Sequence, residues 1–144
     1  MGIGKFLKEK NKNLKIYPLE PSNSPTLSTG KHINEHRIQG ISDEFIPPIL
    51  KLDLLNEIIG VDDGDSIIMA QKLSKFFGLG VGISSGANLL GAIKALELNN
   101  FNGNVITIFP DDNKKYISTD LMKEEPIKED FLSCNIELIS FRVL

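Results

Sequence analysis

Short apolar runs alternate with amphipathic stretches through most of this chain. Residues 15–20, 57–61, 79–83 and 104–109 read as strands whose apolar residues do not alternate with polar ones. Between them lie helical patterns. Residues 5–13 predict a first helix and 46–56 a short one opened by Pro47 and Pro48. Asp62 and Asp63 suit the start of a helix that carries Ile67, Ile68, Leu73, Phe76 and Phe77 on one side and stops at Gly78. Residues 86–98 predict another, with Leu89, Leu90, Ile93 and Leu96 facing inward. Residues 136–141 fit an edge strand. Strands buried on both faces and separated by helices imply an α/β fold, a parallel sheet with helices on both faces.

Ligands in such sheets bind beyond the carboxyl ends of the strands. Three loops fall there: the one after Glu20, the one at Ser84, and Asp111-Asp112-Asn113. The stretch from Pro21 to Phe45 is long for a connection in a compact domain, and loops of that length are usually functional or mobile.

Composition narrows the function classes. The chain has 144 residues, enough for one domain with a substantial core. Its net charge of −3 gives no bulk electrostatic case for nucleic acid. Cys134 is the single cysteine, so an internal disulfide or a thiolate metal site is excluded and a reducing, cytoplasmic location is expected. No apolar run reaches membrane-spanning length, and the first residues lack the apolar core of a signal peptide.

The run Gly80-Val81-Gly82-Ile83-Ser84-Ser85-Gly86 joins a strand to a helix start. Ser84 or Ser85 either caps that helix or presents a hydroxyl to a small polar ligand. The glycines at 80, 82 and 86 favour a ligand, because they permit close approach to the backbone. The spacing is not a dinucleotide fingerprint. Gly82-Ile83-Ser84-Ser85-Gly86 has the Gly-x-Ser-x-Gly form of a nucleophile elbow, but no histidine follows His36 to complete a triad. His32-Ile33-Asn34-Glu35-His36 has the form of a zinc-protease motif, in a segment that does not read as a helix, so no metal is expected. Asp62, Asp63 and Asp65 read as charges favourable near a helix N-terminus, the early lysines as a solvated face, and Cys134 as structural.

Several runs, in order, resemble the C-terminal portion of cysteine synthase (O-acetylserine sulfhydrylase), a pyridoxal-phosphate-dependent family. They are Gly2-Ile3-Gly4-Lys5-Phe6-Leu7, Glu20-Pro21 with Ser24-Pro25, His36-Arg37-Ile38-Gln39-Gly40-Ile41, Phe45-Ile46-Pro47, Gly82-Ile83-Ser84-Ser85-Gly86-Ala87, Phe109-Pro110-Asp111 and Tyr116-Ile117-Ser118-Thr119. The resemblance implies part of the large domain of a fold type II pyridoxal 5'-phosphate enzyme over residues 1–121, with a tail at 122–144. It implies that Ser84 hydrogen-bonds the pyridine nitrogen of the cofactor, and that Gly40 and Ile41 belong to a loop at the substrate entrance. A neutral hydroxyl on that nitrogen makes a milder electron sink than a carboxylate would. The family reaction takes O-acetyl-L-serine and sulfide to L-cysteine and acetate.

The resemblance also sets limits. No lysine here matches the one that forms the family's Schiff base, and the substrate-carboxylate and cofactor-phosphate loops have no counterpart. A fragment inactive by itself is therefore expected, the alternatives being a non-catalytic interaction module or a decayed remnant. Ser42-Asp43-Glu44 replaces the family's glycine-rich turn and adds bulk and charge at the entrance. A homodimer, and serine acetyltransferase as a partner, are what the resemblance implies for a complete enzyme.

Overall fold

The structure, a computed structural model, describes residues 1–41 and 45–143. Helix α1 (Gly2–Lys10) leads to strand β1 (Leu19–Pro21) and the single-turn helix α2 (Thr26–Thr29). Strand β2 (Ile59–Val61) runs directly into α3 (Asp63–Phe77), and α4 (Ile83–Leu98) follows. Short 3-10 turns at Asn113–Tyr116, Asp120–Met122 and Leu132–Asn135 shape the C-terminal third.

β1 and β2 pair in parallel, with Leu19 opposite Ile59 and Pro21 opposite Val61. Helix α4 packs against both strands and against α3. Leu19 fills the space that a side chain on Gly91 would need, and Lys94 donates to the Gly60 carbonyl at 2.7 Å. Val61, Ile67, Leu73, Ile83 and Leu90 form the buried centre. The architecture is α/β with parallel pairing.

Helix α3 follows its start and stop signals closely, although Phe76, expected with the apolar side, is exposed. Asp62 accepts from the amides of Gly64 (2.7 Å) and Asp65 (3.4 Å), satisfying N–H groups that have no partner inside the helix. Gly78 ends the helix in the left-handed conformation, φ +68°, and donates to the Ser74 carbonyl at 3.0 Å.

Other expectations need correction. The first helix begins at Gly2 rather than at residue 5 and stops at Lys10, because the Asn11 side chain accepts from Asn13 N and turns the chain. The expected helix over 46–56 reduces to a 3-10 turn at Leu52–Leu54. Its apolar residues Ile49, Leu52 and Leu54 are exposed, so no packing stabilises a longer helix. The expected strand over 15–20 pairs only at its end: Ile16 bonds through the Asn56 side chain and backbone, and Pro18 has no N–H to give.

Residues 79–83 form no strand. Val81 makes a single antiparallel bridge to Asp112. Residues 104–109 have no regular secondary structure, and Ile106 is 86% exposed. Residues 136–141 likewise form no strand. A segment becomes a strand only when a neighbour takes its N–H and C=O groups along several residues; 79–83 meets such a neighbour only at the Val81–Asp112 bridge, and no ladder is formed by 104–109 or 136–141 among the described residues.

Candidate functional site

Helix α4 starts earlier than its sequence pattern indicates. Gly82 is the N-cap, and Ile83, Ser84 and Ser85 occupy the first turn. Neither serine caps the helix, because a capping side chain must stand one position before the first helical residue. The Ser85 hydroxyl is fully buried without a hydrogen-bond partner among the described residues. Ser84 is 7% exposed, and no hydrogen bond joins its hydroxyl to another described residue. An unbonded hydroxyl therefore stands at the electropositive end of a 16-residue helix.

Each glycine of this run is required by packing within the protein. A Cβ on Gly80 would sit 2.9 Å from the Asn113 side chain, and one on Gly82 would lie 2.6 Å from the Tyr116 ring and collide with Asp111. One on Gly86 would overlap the Ser66 carbonyl of α3. Close packing of loop 111–116 and of α3 accounts for all three.

Two of the three expected loops do come together. Gly82 N donates to Asp111 O (3.2 Å) and Asn113 N to Gly80 O (3.0 Å). Tyr116 donates its hydroxyl to Asp111 Oδ2 at 2.7 Å, and Lys115 reaches the same oxygen at 3.3 Å. Asp111 Oδ1 is buried without a partner, next to Gly82. Burial, then the hydrogen bond to Asp111, pushes the Tyr116 phenol up to about 12. No local sequence signal assigns a role to Asp111 or Tyr116.

The loop after Glu20 is tied to β1 and to the start of α3. The Glu20 carboxylate accepts from the Leu27 amide at 2.7 Å, from the Ser28 amide, and from the Ser28 hydroxyl, tying α2 to β1. Asn23 donates to Asp63 Oδ2 at 3.3 Å and to Glu35 O at 3.1 Å.

Gly40 and the part-buried Ile41 follow the fully buried Ile38, and no hydrogen bond among the described residues links them to Ser84. Gly40 has φ +85°, a conformation that favours glycine. The substitution at Ser42-Asp43-Glu44 lies outside the described residues. His32 Nδ1 lies 3.4 Å from Ser24 Oγ, within a loop and not on a helix. Cys134 is exposed in a 3-10 turn rather than holding a place in the core.

A feature the sequence reading missed is the setting of Arg37. Its guanidinium meets Glu125 through two nitrogens at 2.6 and 2.7 Å, Asp63 at 3.1 Å and Asp120 at 3.2 Å. Its own amide donates to Asp63 at 3.0 Å. The Glu125 and Asp63 hydrogen bonds hold the Arg37 pKa well above its ordinary value. Burial works to raise the Asp63 pKa, but the bonds from Arg37 outweigh it and the net shift is downward. The partners of Arg37 lie 26 to 88 positions away, so no local pattern announces them.

Residues 1–111 match the family model described as pyridoxal-phosphate dependent enzyme. The chain belongs to this family. It is 43% identical over 120 residues to cysteine synthase B of Campylobacter jejuni, a match covering 83% of this chain and 39% of that protein. The structure superposes on a hydrogen sulfide-producing enzyme of Fusobacterium nucleatum with a TM-score of 0.95 at 60% identity, covering 99% of this chain and 42% of that one. It also matches cysteine synthase of Entamoeba histolytica with a TM-score of 0.82 at 35% identity, covering 93% and 40%. The chain thus spans about two-fifths of the length of these relatives. The fold is that of the fold type II pyridoxal-phosphate enzymes, and the cofactor of the family is pyridoxal phosphate.

The residues present fit one part of that cofactor. The Ser84 hydroxyl, at the N-terminal turn of α4 and without a partner among the described residues, has the chemistry to meet a heteroaromatic nitrogen without adding charge.

Proposed function

We propose that this chain supplies the cofactor-ring side of a pyridoxal-phosphate enzyme that makes L-cysteine and acetate from O-acetyl-L-serine and sulfide. The observation that carries the reading is the Ser84 hydroxyl, which has no hydrogen bond to another described residue and stands in the first turn of α4 inside the segment matched to the family. Pyridoxal phosphate, when bound, supplies an electron sink that lets a β-substituent leave an amino acid. Ser84 bonds the pyridine nitrogen as a neutral partner and orients the ring. Gly40 and Ile41 line the entrance and limit what reaches it. Residues 1–121 form part of the large domain and 122–144 its tail. The complete enzyme works as a homodimer in the cytoplasm, with serine acetyltransferase as a candidate partner.

The chain alone is inactive in this reading, because none of its lysines matches the family's Schiff-base lysine. The test mixes purified chain with pyridoxal phosphate, O-acetyl-L-serine and sulfide, and assays cysteine. No product is expected. Cysteine should form once a polypeptide carrying the remaining family segments is added, and should fall when that chain carries Ser84→Ala. Turnover by the chain alone would overturn the inactive reading, and unchanged turnover in the serine variant would remove Ser84 from the site.

A second reading has specific support. Identity to the hydrogen sulfide-producing enzyme is 60%, against 43% and 35% for the cysteine synthases named above. In that reading the assembled enzyme releases sulfide from a thiol amino acid. Supplying L-cysteine in place of O-acetyl-L-serine and measuring sulfide distinguishes the two.

A further inference from the structure

We propose that Arg37 is a positioning residue: with Glu125 as its main anchor, it sets the backbone direction of Gln39, Gly40 and Ile41. The proposal rests on the reading of Gly40 and Ile41 as an entrance loop only for its consequence, not for its geometry.

Arg37 and Ile38 are pinned, and Ile41 packs part-buried against the core two exposed residues later. Ile38 is fully buried, whereas Gln39 and Gly40 are exposed. The direction in which the chain enters the exposed pair Gln39-Gly40 is therefore set by Arg37 together with the buried Ile38. Three elements hold it there. Asp63, in the first turn of α3, takes both the amide and the guanidinium of Arg37 and is itself bonded by Asn23. Asp120, in a 3-10 turn, takes one nitrogen at 3.2 Å and is shared with Lys123 at 2.8 Å. Glu125, from the tail, takes two nitrogens in a forked contact.

The approach of Glu125 depends on Gly64. A Cβ there would stand 2.7 Å from Glu125 Oε1 and 2.9 Å from the Phe131 ring. The tail is held independently at a second point, where the Leu132 and Ser133 amides donate to Asp65 at 3.0 and 2.9 Å. A segment remote in sequence thus reaches over α3 to fix the base of the 39–41 loop. A lysine at position 37 keeps the charge but lacks the planar fork needed to meet Glu125, Asp63 and Asp120 at once.

Hydrogen exchange of the full chain, read by mass spectrometry without substrate, tests this. Arg37→Met, Arg37→Lys and Glu125→Gln are compared with the unaltered chain. The peptide containing residues 38–41 should exchange about tenfold faster in Arg37→Met and Glu125→Gln, and by a smaller factor in Arg37→Lys, while α4 keeps its protection. Unchanged exchange at 38–41 would overturn the proposal. So would an equal rise in every peptide, which marks a contribution to global stability alone. No substrate is present, so the result is independent of whether the loop meets one.

Discussion

Gly86 of α4 rests against the Ser66 carbonyl of α3 with no room for a Cβ between them. The amide of Ala70 would lie 2.8 Å from such an atom. This contact joins the two longest helices at the turn that carries Ser84 and Ser85. Gly86→Ala should therefore cost about 1–3 kcal/mol or more, since overpacking against backbone cannot be relieved by a rotamer change. Urea denaturation measures it, with Gly2→Ala as the control, because nothing lies within 4 Å of a Cβ at that position. Equal midpoints for the two variants would refute the packing account.

Removing the Asp62 cap should destabilise α3 in a predictable way. Its side chain satisfies two amides at the start of the helix, so Asp62→Ala should lower stability by about 0.5–2 kcal/mol. Asp62→Asn should recover most of that loss, because the amide oxygen still accepts. The pair with the exposed Lys128 contributes little by comparison.

Acid should loosen the Arg37 cluster late. The folded pKa of Asp63 lies below its ordinary 3.8, so its stabilising contribution is complete above that value and is lost as pH falls through the lower folded one. A pH series of urea midpoints should decline over that acid range, with a shallower decline in Asp63→Asn. The same slope in both proteins would assign the acid sensitivity elsewhere.

At alkaline pH the relevant group is Tyr116. Its folded pKa, pushed up to about 12, exceeds the ordinary 10.0, so the unfolded chain gives up its proton first. Stability from this group is intact below 10 and is lost as pH rises towards 12. Ultraviolet titration of the chain and of Tyr116→Phe should differ by one phenol titrating near the raised value. A difference curve centred at the ordinary value would show that the bond to Asp111 does not persist in solution.

The segment at 104–109 should make the chain associate. Val105, Ile106, Ile108 and Phe109 are exposed, and the segment is held from one side by the bond of Asn88 Nδ2 to Ile108 O at 2.8 Å. Sedimentation should show species larger than the monomer. Ile106→Lys with Ile108→Lys should shift the population toward monomer without altering the urea midpoint. A wild-type chain that stays monomeric at high concentration would count against this.

The amino-acid sequence by itself determined the local elements whose signals are complete within a few residues. Asp62 and Gly78 bound α3 because a cap and a left-handed stop are chosen by adjacent atoms. The ordered runs from Gly2 to Thr119 also pointed to the family, whose model matches residues 1–111. Parallel pairing was legible, but which segments pair was not. The segments at 79–83 and 104–109 have the composition of strands, but a strand exists only where another backbone meets it. Nor could the sequence say what the glycines at 80, 82 and 86 admit, because their neighbours, Asn113, Asp111 with Tyr116, and Ser66, come from other parts of the chain. Tertiary structure alone placed Ser84 inside the first turn of α4 rather than at its cap, and gathered Asp63, Asp120 and Glu125 around Arg37. Charge pairs of that kind form between residues distant in sequence, and only the folded packing of α3 with the tail brings them within reach.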